Sequence, residues 1–340
     1  MTPARVGIIA NPAAAHDIRR LSGHGSIVDN QEKARIVRRV LLGLQAVGVA
    51  EALAMPDHYG LAEAAADTSD VHLSMGLIEM ECKRDATDST RAAQLMASMG
   101  CACIVTLGGD GTNRAVALGS GATPLLAIST GTNNVIPRPI EGTVAGMAAG
   151  LFARGLIPED IAAVRTKRLE VTQDGEVIES ALVDIAALTA TFLGARAVTD
   201  LSTLRRLWLT QATPGRIGLA AIGASLSPLA PTEDAALLLD VAAPDAEALA
   251  ARVLAPIAPG LAQWVPVAGW RRLAIGESVA VEPLPCVLAL DGERAMRLPA
   301  DAPPTAIRAT WSGPRLLDAQ AIMDYAARNG LLVERVNGAR

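Results

Sequence analysis

The sequence predicts an α/β protein: an N-terminal parallel α/β sandwich followed by a second, mainly antiparallel β domain. Three observations carry this. Apolar runs alternate with helical-period segments over residues 1–140. Beyond about residue 155 the alternation gives way to short apolar runs broken by Pro and Gly. Two glycine-bearing loops, Gly108-Gly109-Asp110-Gly111-Thr112-Asn113 and Thr130-Gly131-Thr132-Asn133-Asn134, each follow an apolar run at a strand-to-helix type of junction.

Taken in order, Val6–Ala10 reads as the first strand. Asp29-Asn30-Gln31-Glu32 is a capping signal, with a carboxylate three residues after the cap. Ile36, Val37, Val40, Leu41, Leu44 and Val47 then recur at helical spacing until Gly48. Val49–Met55 is the next strand and Val71–Met80 is extended. Asp88-Ser89-Thr90 is read as the cap of a helix running through Met99, which Gly100 ends. Cys101–Leu107 and Pro124–Ile128 bring the count to about five strands. Such βα alternation implies a parallel sheet covered on both faces.

Glu141–Arg154 is one more helix. Lys167–Gln173, Asp174-Gly175 and Glu176–Leu182 read as a hairpin with a tight turn. Ala235–Val241, Arg272–Ile275, Ser278–Glu282, Cys286–Leu290 and Thr305–Trp311 are further strands, and Leu317–Arg328 returns to helix. The expected division is 1–145 for the α/β unit and 146–312 for the β-rich unit. Trp264, Trp270 and Trp311 are expected in the core of the second unit. No internal repeat or low-complexity tract is evident.

Apolar residues make up 51% of the 340 residues and charged ones 19%, a composition that can bury two cores. Aromatics are 2% and the net charge is −5, which argues against nucleic acid or an anionic membrane as partner. The uncharged stretch Ile217–Thr232 is sixteen residues broken by Pro228 and Pro231, too short to span a bilayer. The N-terminus lacks an h-region and cleavage site. The expectation is a soluble cytoplasmic protein. Four cysteines, Cys82, Cys101, Cys103 and Cys286, are too scattered for a disulfide framework, and Cys101 and Cys103 read as two small buried residues on one strand face.

Several chemistries are excluded by pattern. None of the three lysines, Lys33, Lys83 and Lys167, follows a glycine, so there is no P-loop. Gly119-Ser120-Gly121 precedes a strand instead of opening a helix, which removes a Rossmann fingerprint. His16, His24, His58 and His72 are not at metal-ligand spacing, and no Gly-x-Ser-x-Gly elbow occurs. The two glycine loops remain. Glycine lets backbone amides approach a ligand, and amides at a strand-to-helix turn cradle phosphate. Asp110, at a strand end, is placed to act as general base to a hydroxyl or to hold a phosphate-bridging Mg²⁺; the bland alternative is that it only binds turn amides. Thr112 can cap the following helix.

These residues carry a resemblance. Gly108-Gly109-Asp110-Gly111-Thr112 resembles the signature shared by NAD kinases, diacylglycerol kinases and sphingosine kinases, and Asn11-Pro12 resembles the Asn-Pro that begins those families. Thr130-Gly131-Thr132-Asn133 is similar to their Gly-Thr-x-Asn segment, and Asp291-Gly292-Glu293 to the Asp-Gly-Glu of their second domain. Ala10–Ala14 with Asp17-Ile18-Arg19-Arg20, the Gly-Gly-Asp-Gly-Thr-Asn-Arg form, Ser129–Pro137 and Ile217–Ile222 resemble the AcoX-type, NAD-kinase-like proteins of acetoin catabolism.

The resemblance implies an NAD kinase/diacylglycerol kinase-like fold with a site between the two units, and a C-terminal segment, 313–340, whose helix returns to the first unit. It implies Asp110 as catalytic carboxylate. Asn11, Gly108, Gly109, Gly111, Thr112, Asn113, Arg114, Thr130, Gly131, Thr132, Asn133, Asp291 and Glu293 would bind nucleotide, with no resident metal ligand among them. ATP and Mg²⁺ are the implied cofactors, NAD is a further candidate, and a homo-oligomer is implied. The chain lacks the Asn-Glu pair with which NAD kinases bind a ribose, and Arg114-Ala115-Val116 stands where lipid kinases usually place a Glu. Arg114 is open to two readings, a phosphate partner or a surface residue; Arg19, Arg20 and Arg196 are read mainly as solvated side chains. Three functions follow: a kinase for a small soluble hydroxyl compound, a nucleotide-binding regulator without catalysis, or an NAD kinase with rebuilt acceptor contacts.

Overall fold

The computed structural model describes residues 4–13, 28–131, 134–189, 201–243, 246, 248–292 and 294–334. Its first half is built on strands β1 (Arg5–Ala10), β2 (Glu51–Ala54), β3 (Ser74–Leu77), β4 (Cys103–Gly108) and β5 (Leu125–Ser129), separated by helices α1 (Asn30–Ala46), α2 (Leu61–Ala66), α3 (Ala86–Ser98) and α4 (Asp110–Ala117). Helices α5 (Gly142–Ala153) and α6 (Glu159–Ala162) follow, then β6 (Ala163–Arg165). The antiparallel half comprises β7 (Arg168–Gln173), β8 (Glu176–Ala181), β9 (Asp184–Leu188), β10 (Leu204–Leu209), α7 (Ala220–Leu226), β11 (Ala236–Val241), β12 (Ala251–Ala258), β13 (Leu261–Leu273), β14 (Ser278–Ala280), β15 (Cys286–Leu290), β16 (Arg294–Leu298) and β17 (Thr305–Thr310). The chain ends in β18 (Arg315–Leu317) and α8 (Ala319–Arg328).

The first sheet has seven strands in the order β3-β2-β1-β4-β5-β18-β6. The five anticipated strands are there and parallel. Two more were not anticipated: β18 joins β5 in parallel and β6 closes the edge antiparallel to β18. Both are three residues long, too short for a periodicity to register. The other two sheets are antiparallel, of seven strands (β12-β13-β11-β10-β9-β15-β16) and four (β14-β17-β7-β8). The architecture expected from the sequence therefore holds.

The central strands β1, β4 and β5 are buried on both faces, so they are near-continuous apolar runs. Val6, Ile8, Val105 and Leu107 pack with α1, α2, α5 and α8 on one face, while Ile9, Ile104 and Leu125 pack with α3 and α4 on the other. Cys103 lies in the first of these clusters and Cys101 in the second. They do not share a face, because β4 begins only at Cys103 and Cys101 sits in the preceding turn; both are buried, as expected. Helices α1 and α5 touch backbone to backbone: a Cβ on Gly146 would stand 2.1 Å from the Val40 carbonyl oxygen.

Asp29 caps α1 through the Glu32 amide at 2.7 Å, as read from the sequence. The cap of α3 is instead Asp85, whose carboxylate accepts from Thr87 N, while Asp88 turns back to the amides of Lys83 and Arg84. In the antiparallel half, Trp208 is the tryptophan of the core. Trp264 and Trp270 are exposed, contrary to expectation, because both project from the outward face of the long strand β13. Lys167 is buried between Trp311 and the loop before β11, its ammonium donating to the carbonyls of Ala230, Glu233 and Ala235. Among the described residues no helix is long and apolar enough to cross a membrane.

A small cluster joins the halves. Ala127 and Ile136 from the first pack against Leu182 and Val183 from the second, with Ala117, Val135 and Leu316 around them.

Candidate active site

Strand order reverses between β1 and β4. From β1 the chain moves outward to β2 and β3, then returns on the other side through β4 and β5. Open α/β sheets bind ligands in the crevice that such a reversal opens at the carboxyl ends of the strands. There Asn11, just after β1, donates its side-chain amide to the Thr112 hydroxyl at 3.0 Å. The Asn11 carboxamide oxygen also accepts from the Ala13 amide, turning the Asn-Pro loop.

Lys33, in the first turn of α1 and fully buried, holds that loop from beneath. Its ammonium donates to the Pro12 carbonyl at 2.8 Å and to Asn30 Oδ1 at 3.0 Å. In the sequence Lys33 stands out only as a lysine outside a P-loop, because its role depends on a contact made after folding.

Helix α4 begins at Asp110, with Gly109 as N-cap. Thr112 therefore lies inside the first turn and is not the cap. Gly109 offers no capping side chain, so the first-turn amides take no acceptor from the N-cap residue. A Cβ on Gly109 would also stand 3.1 Å from Asn134 Oδ1, so glycine lets the second loop close on the first. Asn113 is fully buried and turned inward: it accepts from Thr106 Oγ1 at 2.6 Å and donates to the Gly109 carbonyl at 2.9 Å. Its described contacts hold the loop's shape. Arg114 is half-buried on α4.

Asp110 is buried, and its carboxylate spans to the second loop. Oδ1 accepts from the Ile136 amide at 2.8 Å and the Val135 amide at 3.1 Å, while Oδ2 accepts from Val135 at 3.0 Å. The second loop folds around Ser129, whose hydroxyl donates to the Gly131 carbonyl and accepts from Asn134 Nδ2, both at 2.7 Å. No helix follows that loop until Gly142. Thr130 stands beside Gly108, its amide 3.5 Å from the Gly108 carbonyl; its hydroxyl is buried without a hydrogen-bond partner. A buried hydroxyl left unmatched costs free energy, and a ligand oxygen would satisfy it.

Asp291 lies across the joining cluster. Its carboxylate accepts from the amides of Leu182 at 3.0 Å, Val183 at 2.8 Å and Asp184 at 3.4 Å. The carbonyls of the same Leu182 and Val183 accept from the Thr210 hydroxyl. Asp291 and Gly292 both have left-handed backbone, at φ 51° and 64°, turning β15 into β16. Burial pushes the Asp291 carboxyl above its ordinary value, against the opposing pull of the amides and Arg294. Asp291 is thus a buried staple in a turn. Thr132, Asn133 and Glu293 lie outside the described residues, as do Arg19, Arg20 and Arg196.

The structure therefore brings together Asn11, Gly108, Gly109, Asp110, Gly111, Thr112 and Thr130 at one crevice. Asp291 is held instead by the amides of Leu182, Val183 and Asp184 in the antiparallel half. Among the described residues no group of three or more His, Cys, Asp or Glu could hold a metal ion. Amides at a strand-to-helix turn and hydroxyls such as these are groups that can bind a phosphate.

Residues 6–155 match the family model for the ATP-NAD kinase N-terminal domain. Residues 167–309 match the model for the acetoin catabolism protein X C-terminal domain. The acetoin catabolism protein X of Cupriavidus necator is 38% identical over 338 residues, covering 96% of this chain and 93% of that protein.

Proposed function

The chain belongs to the acetoin catabolism protein X family, within the NAD kinase superfamily, and on that premise we propose that it is a phosphotransferase acting on the hydroxyl of a small soluble compound. ATP is the proposed donor. The observation that carries the reading is the unpartnered, buried Thr130 hydroxyl beside the Gly108–Gly109 loop at the strand-order reversal. A phosphate oxygen seated on the first-turn amides of α4 would accept the hydrogen bond that the Thr130 hydroxyl can donate.

In this proposal the acceptor hydroxyl meets Asp110, which the Val135 and Ile136 amides hold in one orientation. The acceptor oxygen forms its bond to the terminal phosphorus of ATP, the bond from that phosphorus to the bridging oxygen breaks, and ADP leaves. The acceptor's proton passes to the Asp110 carboxylate. Magnesium belongs here only as an ion carried on the nucleotide's phosphates, where it would offset their charge. A link of the acceptor to acetoin chemistry comes from the name of the Cupriavidus necator relative and is part of the proposal. So are a cytoplasmic setting and a homo-oligomeric state.

A second reading has its own observation. The bonds from Asp110 to Val135 and Ile136 are what a purely structural aspartate would make. They favour a nucleotide-binding regulator that keeps the fold without the reaction. Isothermal titration with ATP, NAD and NADP, each with Mg²⁺, separates these readings when followed by an acceptor screen read by product detection. Saturable ATP binding with turnover lost in Asp110→Ala supports the kinase. Binding without turnover for any acceptor supports the regulator. NADP formation would restore the NAD kinase alternative, and absence of all binding would remove the three together.

A further inference from the structure

The two halves meet at Ala127, Ile136, Leu182 and Val183, and a buried aspartate grips the backbone on each side of that contact. In the first half, Asp110 takes the amides of Val135 and Ile136. In the second, Asp291 takes those of Leu182 and Val183.

Leu182-Val183 is a two-residue bend between β8 and β9, where the chain leaves the four-stranded sheet for the seven-stranded one. A buried bend has no ladder to satisfy its backbone, so the partners must come from elsewhere. Asp291 supplies the acceptor for the amides. Thr210, just past the end of β10, supplies the donors for the carbonyls. Its hydroxyl is shared between the Leu182 carbonyl at 2.8 Å and the Val183 carbonyl at 3.2 Å, and its amide donates to the Val183 carbonyl at 3.0 Å. Both residues are buried, which keeps water from competing for these bonds.

The segment carrying Ile136 is pinned at two points. Its amide sits on Asp110, and two residues later the Arg138 backbone bonds to Ala127 and Ser129 of β5. At the first of these points the buried Ile136 side chain enters the same cluster as Leu182 and Val183, with Val135 against it. Close-packed side chains pass a displacement on instead of absorbing it. We propose that Asp291 and Thr210 are positioning residues for Asp110: by fixing the Leu182-Val183 bend they hold the surface against which Val135-Ile136 rests, and so aim the Asp110 carboxylate. This rests on the reading of Asp110 as the base given above, and adds the residues of the second half that orient it.

Amide hydrogen exchange resolved to single residues tests this, together with ATP affinity and ADP release from ATP and Mg²⁺ with water as acceptor. Thr210→Val keeps the shape and removes the hydroxyl, whereas Thr210→Ser keeps the hydroxyl. Val183→Ala shortens the side chain in the junction and serves where Thr210→Val fails to fold. Losing one buried hydrogen bond should speed exchange at Val135 and Ile136 about fivefold more than in α1. The misaimed carboxylate should lower kcat about tenfold while the ATP dissociation constant stays unchanged. Thr210→Ser should restore both. Faster exchange at Leu182 and Val183 with none at Val135 and Ile136 overturns the proposal. An equal rise throughout α1 overturns it too, because the effect would then be general destabilisation. A wild type that releases no ADP counts against the phosphotransferase reading alone, and exchange at Val135 and Ile136 then decides the positioning.

Discussion

Asn11 and Thr112, 101 residues apart in the chain, are joined by a 3.0 Å hydrogen bond from the Asn11 carboxamide to the Thr112 hydroxyl. It ties the end of β1 to the first turn after β4, across the point where strand order reverses. A neutral hydrogen bond contributes about 1 kcal/mol net. A double-mutant cycle of Asn11→Ala and Thr112→Val should therefore show a coupling of about 1 kcal/mol in urea unfolding, and a comparable coupling in ATP affinity. Additive effects in both measurements would mean that the two loops act independently.

Asp110 separates structure from chemistry by the choice of replacement. Asn keeps one oxygen that can accept from the Ile136 amide, whereas Ala leaves both the Val135 and Ile136 amides without this acceptor. Asp110→Ala should cost roughly 1–3 kcal/mol of stability and Asp110→Asn less. If Asp110 takes the acceptor's proton, Asp110→Asn should still lose a factor of about 10²–10⁴ in turnover. Full turnover by a folded Asp110→Asn protein would leave only the structural role.

The parallel half was legible because strands buried on both faces write themselves as apolar runs, as β1, β4 and β5 do. The antiparallel half was less so. Strands β12 and β13 expose alternate residues such as Leu254 and Trp264, and an apolar side chain pointing outward looks the same in sequence as one pointing in. In the site, glycines and the carboxylate announced the crevice, since few local structures need that grouping. The partners did not announce themselves. Ser129, Asn134, Thr210 and Lys33 act through contacts made only after the chain has folded, and no spacing encodes them. Asn113 sits within the motif, yet the structure turns its side chain into the protein.

Asp291 carries a pH dependence whose sign follows from its burial. Its folded pKa is raised above the unfolded value, chiefly by desolvation. The native state therefore holds this proton more tightly than the unfolded chain. The stabilisation so gained is complete below the unfolded carboxylate value of about 3.9 and is lost as pH rises through the higher folded value. Asp291→Asn removes the titration. The difference in urea midpoint between wild type and Asp291→Asn should move against the wild type as pH climbs from 4. A difference that is flat, or that moves in favour of the wild type, contradicts this assignment.

Lys33 tests whether the Asn-Pro loop is positioned from beneath. Its ammonium is fully buried and reaches the Pro12 carbonyl, one residue from the asparagine that meets Thr112. Lys33→Met keeps the length of the side chain but removes the donor, which should cost roughly 1–3 kcal/mol through the acceptors left unmatched. That loss alone would be equally consistent with a general structural role. The discriminating reading is nucleotide affinity measured at a temperature where the variant is fully folded. If Lys33 positions the loop, the ATP dissociation constant rises in Lys33→Met, and adding Asn11→Ala to that variant weakens binding by less than Asn11→Ala does alone. ATP affinity equal to that of the wild type, despite the lower stability, would confine Lys33 to holding the first turn of α1.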